Sequence, residues 1–286
     1  EIGVRLVGSE MCIRDRYNTA LGVHALGQQA DTTGNYNVAL GSLTLQYATS
    51  ADGNIAIGHE AMKVHTTGAR NIAIGYQAMN DTDAGSTSLG SIDNVFIGLD
   101  AGGGTWADAA SNYNVAIGNE ALEANTTANY NTAVGVSALR YSNHTNAKDN
   151  VAIGHSALYT STTASCNVAV GVCALYANTT GGPNTAVGTS ALRNNTTAGG
   201  NTASGYESLR QNTTGGENTG HGYGVLYSNT TGDSNAGFGY GALNKNTTGA
   251  GNTAVGFRSL CSNTTASNNT AVGKSALINN CLLYTS

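Results

Sequence analysis

The pentapeptide Asn-(Thr/Val/Ile)-Ala-(Val/Ile)-Gly, or a close variant, recurs fifteen times, beginning at Asn18, Asn37, Asn54, Asn71, Asn94, Asn114, Asn131, Asn150, Asn167, Asn184, Asn201, Asn218, Asn235, Asn252 and Asn269. From Asn150 onward the spacing is always 17 residues; before it the intervals are 19, 17, 17, 23, 20, 17 and 19. A fixed period of this length is the mark of a solenoid, in which each unit is one coil that can bury its apolar side only against its neighbours. The irregular intervals locate insertions, the largest falling within residues 80–112.

Each position of the coil carries its own demand. Gly stands four residues after every anchor Asn, for instance at Gly154, Gly171, Gly188, Gly205 and Gly222, which implies a positive φ or a close backbone approach at a corner. The three residues between Asn and Gly alternate and are bounded by turn formers, so they read as a short strand. Eight residues after the anchor comes Leu or Met in fourteen copies, which we take as a second, shorter strand. The coil closes through Asn-Thr-Thr-Gly or a variant, residue types of turns. Two strands and two turns make a flattened parallel β-roll, and the anchors Asn150, Asn167, Asn184, Asn201 and Asn218 are placed to form an amide ladder through successive coils. If each coil buries two large aliphatics, at about 1.5–3 kcal/mol apiece, it cannot offset the ordering of its backbone at about 1 kcal/mol or more per residue. So thin a core calls for a further face buried against other chains. Fifteen coils at about 4.8 Å each would make a rod roughly 70 Å long.

Composition narrows the fold classes and chemistries open to the chain. Of 286 residues only 10% are charged, while Asn, Thr and Gly number 34, 36 and 39. Such a chain does not supply long helices, coiled coil or membrane spans. Apolar residues at fixed intervals argue against disorder. A net charge of −5 without a basic run argues against nucleic acid as a partner. Cys12, Cys166, Cys173, Cys261 and Cys281 fit neither a disulfide framework nor paired metal-binding motifs. The six His fall in different columns, away from any nucleophile motif; His221 replaces an aliphatic of the strand. We therefore expect no catalytic residue, no metal and no cofactor. Residues 1–16 (EIGVRLVGSEMCIRDR) and 281–286 (CLLYTS) share nothing with the array; they read as non-native flanks of the translated-adapter kind, leaving 17–280 as the repeat array.

Fifteen N-x-A-(V/I)-G coils followed by A-L and N-T-T-G resemble the YadA-like head repeats of trimeric autotransporter adhesins. They are more similar still to the repeat arrays of phage and viral tail fibres, many of which end in an endosialidase-type intramolecular chaperone. The resemblance covers 17–280 and implies an all-β fold, a left-handed parallel β-roll (β-solenoid). It also implies a homotrimer, exposure on a cell surface or virion, and attachment to a host-surface receptor, glycan or matrix component, without membrane insertion in this stretch. The 17-residue coil is longer than the usual adhesin unit, and the stalk, anchor and chaperone are not in this stretch, so adhesin and tail fibre both stay open.

Two places are candidates for receptor contact. The insertion carries Asp81 and Asp83 before a glycine and the only Trp, Trp106, behind Gly102-Gly103-Gly104, at the one copy where the Leu column is interrupted. Trp is enriched among binding hot spots; alternating acids before Gly could begin a calcium loop, but the remaining ligands of one are missing. Tyr206, Tyr223, Tyr240 and Phe257 each follow the corner Gly in four successive coils, where they would stack as an aromatic ladder or serve as a sugar-stacking platform. Glycine-rich strings around His221 and Phe238 lead into no helix and so are not nucleotide loops. The leading function is a non-enzymatic structural and adhesive rod. One rival is an ice-binding solenoid built on the paired Thr such as Thr179-Thr180 and Thr196-Thr197, although adjacent residues of a strand point to opposite faces. Another is a glycan-degrading tail spike, for which the scattered acids offer no carboxylate pair.

Overall fold

The computed structural model describes residues 17–27, 33–80, 90–104, 110–124, 127–142 and 147–279. The chain divides into two compact units, Glu1–Lys148 and Asp149–Ser286. The first holds β1 (Thr19–Leu21), β2 (Val38–Leu40), β3 (Ile55–Ile57), β4 (Ile72–Ile74), β5 (Val95–Ile97), β6 (Val115–Ile117) and β7 (Thr132–Val134). The second holds β8 (Val151–Ile153), β9 (Val168–Val170), β10 (Thr185–Val187), β11 (Thr202–Ser204), β12 (Thr219–His221), β13 (Ala236–Phe238), β14 (Thr253–Val255) and β15 (Thr270–Val272). Within each unit every strand pairs in parallel with the next, repeat position opposite repeat position, as in Ala186↔Ala203 and Val95↔Val115. The fold is an all-β parallel solenoid with about 17 residues per coil, and no helix occurs among the described residues.

The strand is where the sequence places it, and its alternation sets what lies inside. In β4, β9 and β10 the central Ala is buried while its neighbours are half-buried or exposed. The Val and Ile of the motif therefore face outward, and Ala lines the interior. That corrects the expectation of two large aliphatics buried per coil: the coil encloses one, the Leu or Met eight residues past the anchor, with Leu139, Leu158, Leu175 and Leu192 all fully buried.

The second strand is also corrected. The segment after the corner Gly is a run of turns, not a strand. In the coil of Asn184, Ala191 N donates to Gly188 O at 3.2 Å, with Ser190 at φ 57° and Leu192 at φ 50°. A bond from residue i+3 to residue i across a left-handed i+2 is the signature of a type II turn. A left-handed Leu costs roughly 1–2 kcal/mol, and fully burying its side chain returns about 1.5–3 kcal/mol, while ladder bonds such as Leu192 N to Ser208 O at 3.0 Å hold the turn to the next coil. The corner needs glycine on two counts. Gly188 has φ 134°, and a Cβ there would lie 2.5 Å from Gly205 O of the next coil.

Where one column departs from the repeat, another compensates. Gly102 replaces the core Leu of its coil, and Phe96 stands where other strands carry Ala; a Cβ on Gly102 would lie 2.6 Å from the Phe96 ring, which is fully buried. The ring thus fills, from the strand side, the space that Leu fills from the turn side. In the second unit Gly237 replaces the strand Ala and Val225 the turn Ala, and a Cβ on Gly237 would meet Val225 Cγ1 at 2.5 Å. Interiors packed to crystal density tolerate such exchanges only in matched pairs.

Buried amides complete the core. Asn218, fully buried, donates its backbone N–H to Asn201 Oδ1 at 2.9 Å and its Nδ2 to Gly232 O at 2.8 Å, and its Oδ1 accepts from Asn235 N and Nδ2 at 2.9 and 3.0 Å. An unpaired amide in that position would cost about 2–7 kcal/mol, so the expected ladder is a requirement of burial. It runs from Asn18 to Asn131 in the first unit and from Asn150 to Asn269 in the second.

Candidate functional site

A second amide ladder was not foreseen. The Asn of the Asn-Thr-Thr turn points inward: Asn212 Nδ2 donates to Asn195 Oδ1 at 2.9 Å and to Gly215 O at 2.8 Å, and Asn178, Asn195, Asn212, Asn229, Asn246 and Asn263 form one buried column. The signal was available in the constant offset of 11 residues from the anchor. Two coils carry Ser there instead, and Ser142 Oγ and Ser161 Oγ are buried without a hydrogen-bond partner among the described residues. In the five turns beginning at Asn178, Asn195, Asn212, Asn229 and Asn246 the first Thr spends its hydroxyl on the stack, as in Thr196 Oγ1 to Thr213 O at 3.1 Å, while the second, as at Thr197 and Thr214, is exposed.

The aromatic column forms as read. Tyr206, Tyr223, Tyr240 and Phe257 stack in sequence with centroids 5.1, 5.0 and 5.3 Å apart and ring planes within 15° of parallel. Each ring is about half exposed. Partial desolvation in the stack, then the neighbouring Tyr240 and Tyr206 phenols and Glu207, push the Tyr223 phenol above its ordinary value. Beside the ladder runs a groove of about 500 Å³ lined by Tyr223, Tyr240, Phe257, Gly241, Lys245 and Arg258, with Asn244 and Cys261 completing it. Two successive coils carry Gly224 and Gly241, at φ 57° and 63°, where the flanking coils carry Glu207 and Arg258, and Gly241 forms part of the groove lining. Asn244 reaches across, its Nδ2 donating to Gly224 O at 2.8 Å. Neither Lys245 nor Arg258 has a carboxylate in ion-pair range among the described residues.

The other candidates divide. Trp106, Asp81 and Asp83 lie outside the described residues, but the interrupted Leu column beside Trp106 is accounted for by Phe96. His221 is exposed and stacks on Phe238 at 5.5 Å. Cys166, Cys173 and Cys261 are free thiols, and no three His, Cys, Asp or Glu side chains among the described residues are grouped to hold a metal.

Stacking also brings acids together that look scattered in sequence. Asp100 and Glu120 occupy the same repeat position of neighbouring coils, and Arg140 bonds Glu120 at 2.9 Å and, through Nε, Glu123. Ser137 Oγ donates to Glu120 Oε2 at 3.0 Å. Burial works against the Arg140 charge, but its hydrogen bond to Glu123 and the charges of Glu123 and Glu120 prevail and raise its pKa. Burial, then Glu123 and Glu120, hold the Asp100 carboxyl above the ordinary carboxylate range. Both glutamates are thereby engaged by one guanidinium.

Compared with family models, with curated proteins and with solved structures, the chain has no match.

Proposed function

We propose that this chain is a non-enzymatic structural and adhesive solenoid, part of a homotrimeric surface adhesin or phage tail fibre that attaches to a receptor or glycan on a host surface. The observation that carries the reading is the outward face of the strands. Its third position is Leu21 and Ile117 in the first unit and Ile153, Val187, Phe238, Val255 and Val272 in the second, all 38–70% exposed, and the first position is half-buried Val or Ile in much of the first unit. Within the first unit the third position is apolar in every coil from Leu21 to Val134, and in the second it is apolar in two runs, Ile153 to Val187 and Phe238 to Val272, either side of Ser204 and His221. Apolar runs of this kind, rather than scattered single residues, mark an interaction surface. Because the apolar interior of most coils is little more than Ala and one Leu or Met, the outward aliphatics are further apolar area with which the chain can gain stability, and identical chains supply identical ridges to pack against it. The resemblance of the repeats to adhesin heads and tail fibres supports three chains around one axis and a place outside the cell or on a virion. The commitment of the first Thr hydroxyls to the stack weighs against an ice-binding array, and the pairing of Glu120 and Glu123 with Arg140 weighs against a glycosidase acid pair.

The test is sedimentation equilibrium of the chain as it stands and of a variant carrying Ile153→Asp and Val187→Asp. The expected result is a trimeric mass that the double variant lowers to that of the monomer. A monomer at all concentrations for the unaltered chain would refute the reading.

A further inference from the structure

We infer that the groove beside the aromatic ladder is a binding site for an acidic saccharide, a sugar ring bearing a carboxylate. The inference rests on the proposed reading of the chain as a surface binder and names the class of ligand it takes.

Four observations converge on it. The rings of Tyr223, Tyr240 and Phe257 lie nearly parallel at 5.0–5.3 Å, so their faces are given to one another and the groove receives ring edges and phenol hydroxyls. The edge of an aromatic ring is the positive end of its quadrupole, and phenols donate and accept hydrogen bonds as a polyhydroxylated ligand requires. Lys245 and Arg258 both line the groove and have no acid to neutralise them among the described residues. In a chain of net charge −5, two unpaired cations at one cleft select an anion, and the guanidinium suits a carboxylate through two parallel hydrogen bonds. The floor is built by absence. Only the coils of Asn218 and Asn235 carry Gly in the column where the others have a side chain; Gly241 lines the groove, and Asn244, which also lines it, lies against Gly224. At about 500 Å³ the groove falls within the ~300–1,000 Å³ of ligand clefts.

The site can be occluded without substituting a ring or a cation. A Cβ on Gly241 would meet only Arg258 Cγ, at 3.6 Å, and Asn tolerates the left-handed φ of 63° found there. Gly241→Asn should therefore fold as before and fill the floor.

The experiment is calorimetric titration of the whole chain with tetragalacturonate, with its methyl ester and with a sulfated, carboxylate-free carrageenan tetrasaccharide, alongside adhesion of the chain to host cells. Tetragalacturonate is expected to bind at least tenfold more tightly than its ester, with an affinity that falls as salt rises. Gly241→Asn and Tyr240→Ala should each weaken it tenfold or more. Arg258→Gln with Lys245→Gln should abolish the preference over the ester. Tyr17→Ala, on the stacked pair Tyr17–Tyr36 of the first unit, should change nothing. Equal binding of acid and ester, tighter binding of the sulfated sugar, or full affinity in Gly241→Asn would each overturn the inference. If host adhesion persists while tetragalacturonate does not bind, the groove assignment falls and the adhesive reading stands; tetragalacturonate binding without host adhesion leaves the groove and removes the adhesive role.

Discussion

Exchanging the two exceptional residues of one coil should restore the ordinary packing of the rest. Phe96→Ala removes six of seven side-chain carbons from a fully buried position opposite a glycine, and buried Phe→Ala changes cost about 3–5 kcal/mol; we take about 4. Gly102→Leu by itself places a Cβ 2.6 Å from the Phe96 ring, in a left-handed conformation at φ 60°; overpacking costs about 1–3 kcal/mol and a left-handed Leu about 1–2 kcal/mol, and we take the low end of both, about 2 together. Added as independent changes they would cost about 6 kcal/mol. The double variant instead carries the Ala and the left-handed Leu found in neighbouring coils. Its five side-chain carbons replace seven, a deficit of about 1.6 kcal/mol at ~0.8 per carbon, and the left-handed Leu adds about 1–2 kcal/mol, for a total of about 3. The coupling is therefore about 3 kcal/mol, well above the ~0.3–0.5 kcal/mol within which independent sites add. Hydrogen exchange read by mass spectrometry over peptides spanning residues 71–124 is the appropriate assay, because a repeat array opens locally. A double variant as unstable as the sum of the singles would show that Phe96 does not substitute for the missing Leu.

Two further outcomes follow from buried polar groups. Ser161→Asn should extend the second amide ladder by one step, accepting from Asn178 Nδ2, and raise the opening free energy of that coil by about 1–2 kcal/mol as an unpaired hydroxyl gives way to a paired amide; no gain in local exchange protection would refute the ladder's energetic role. Asp100, whose folded pKa is raised, contributes stability when protonated, fully below the unfolded value of about 3.9, and loses that contribution as pH rises through the folded value. Asp100→Asn is thus expected to raise the melting temperature at neutral pH and to leave it unchanged below about pH 3.5, and a loss at neutral pH would contradict the assignment. Glu60 and Asp93 act in the opposite sense. Hydrogen bonds from Gln77 and Lys63 to Glu60, and from Arg70 to Asp93, lower both carboxyls, so their contributions are present above the ordinary carboxylate range and disappear as pH falls through the depressed values.

The sequence by itself determined the period, the strand after each anchor, the corner glycines, the first Asn ladder and the aromatic column, since each is a local demand repeated at a constant interval and stacking in register follows from constancy alone. What it left open was which side of the strand is inside. Alternation distinguishes two faces without ranking them, and the larger residues of Thr-Ala-Val are the natural choice for a core. Only the closed coil decides otherwise: a 17-residue loop encloses a cross-section that Ala, one left-handed Leu and two amides fill, so Val187 and its neighbours are turned outward. The same closure turns Asn212 inward while the Thr beside it stays out, and seats Phe96 in the space that Gly102 vacates. It also gathers Asp100, Glu120 and Glu123 around Arg140, and leaves Lys245 and Arg258 beside a groove floored by Gly241. These are relations between residues that the chain brings together one coil later, across distances that no local pattern encodes, and they were settled by the volume and hydrogen-bonding capacity of the coil interior.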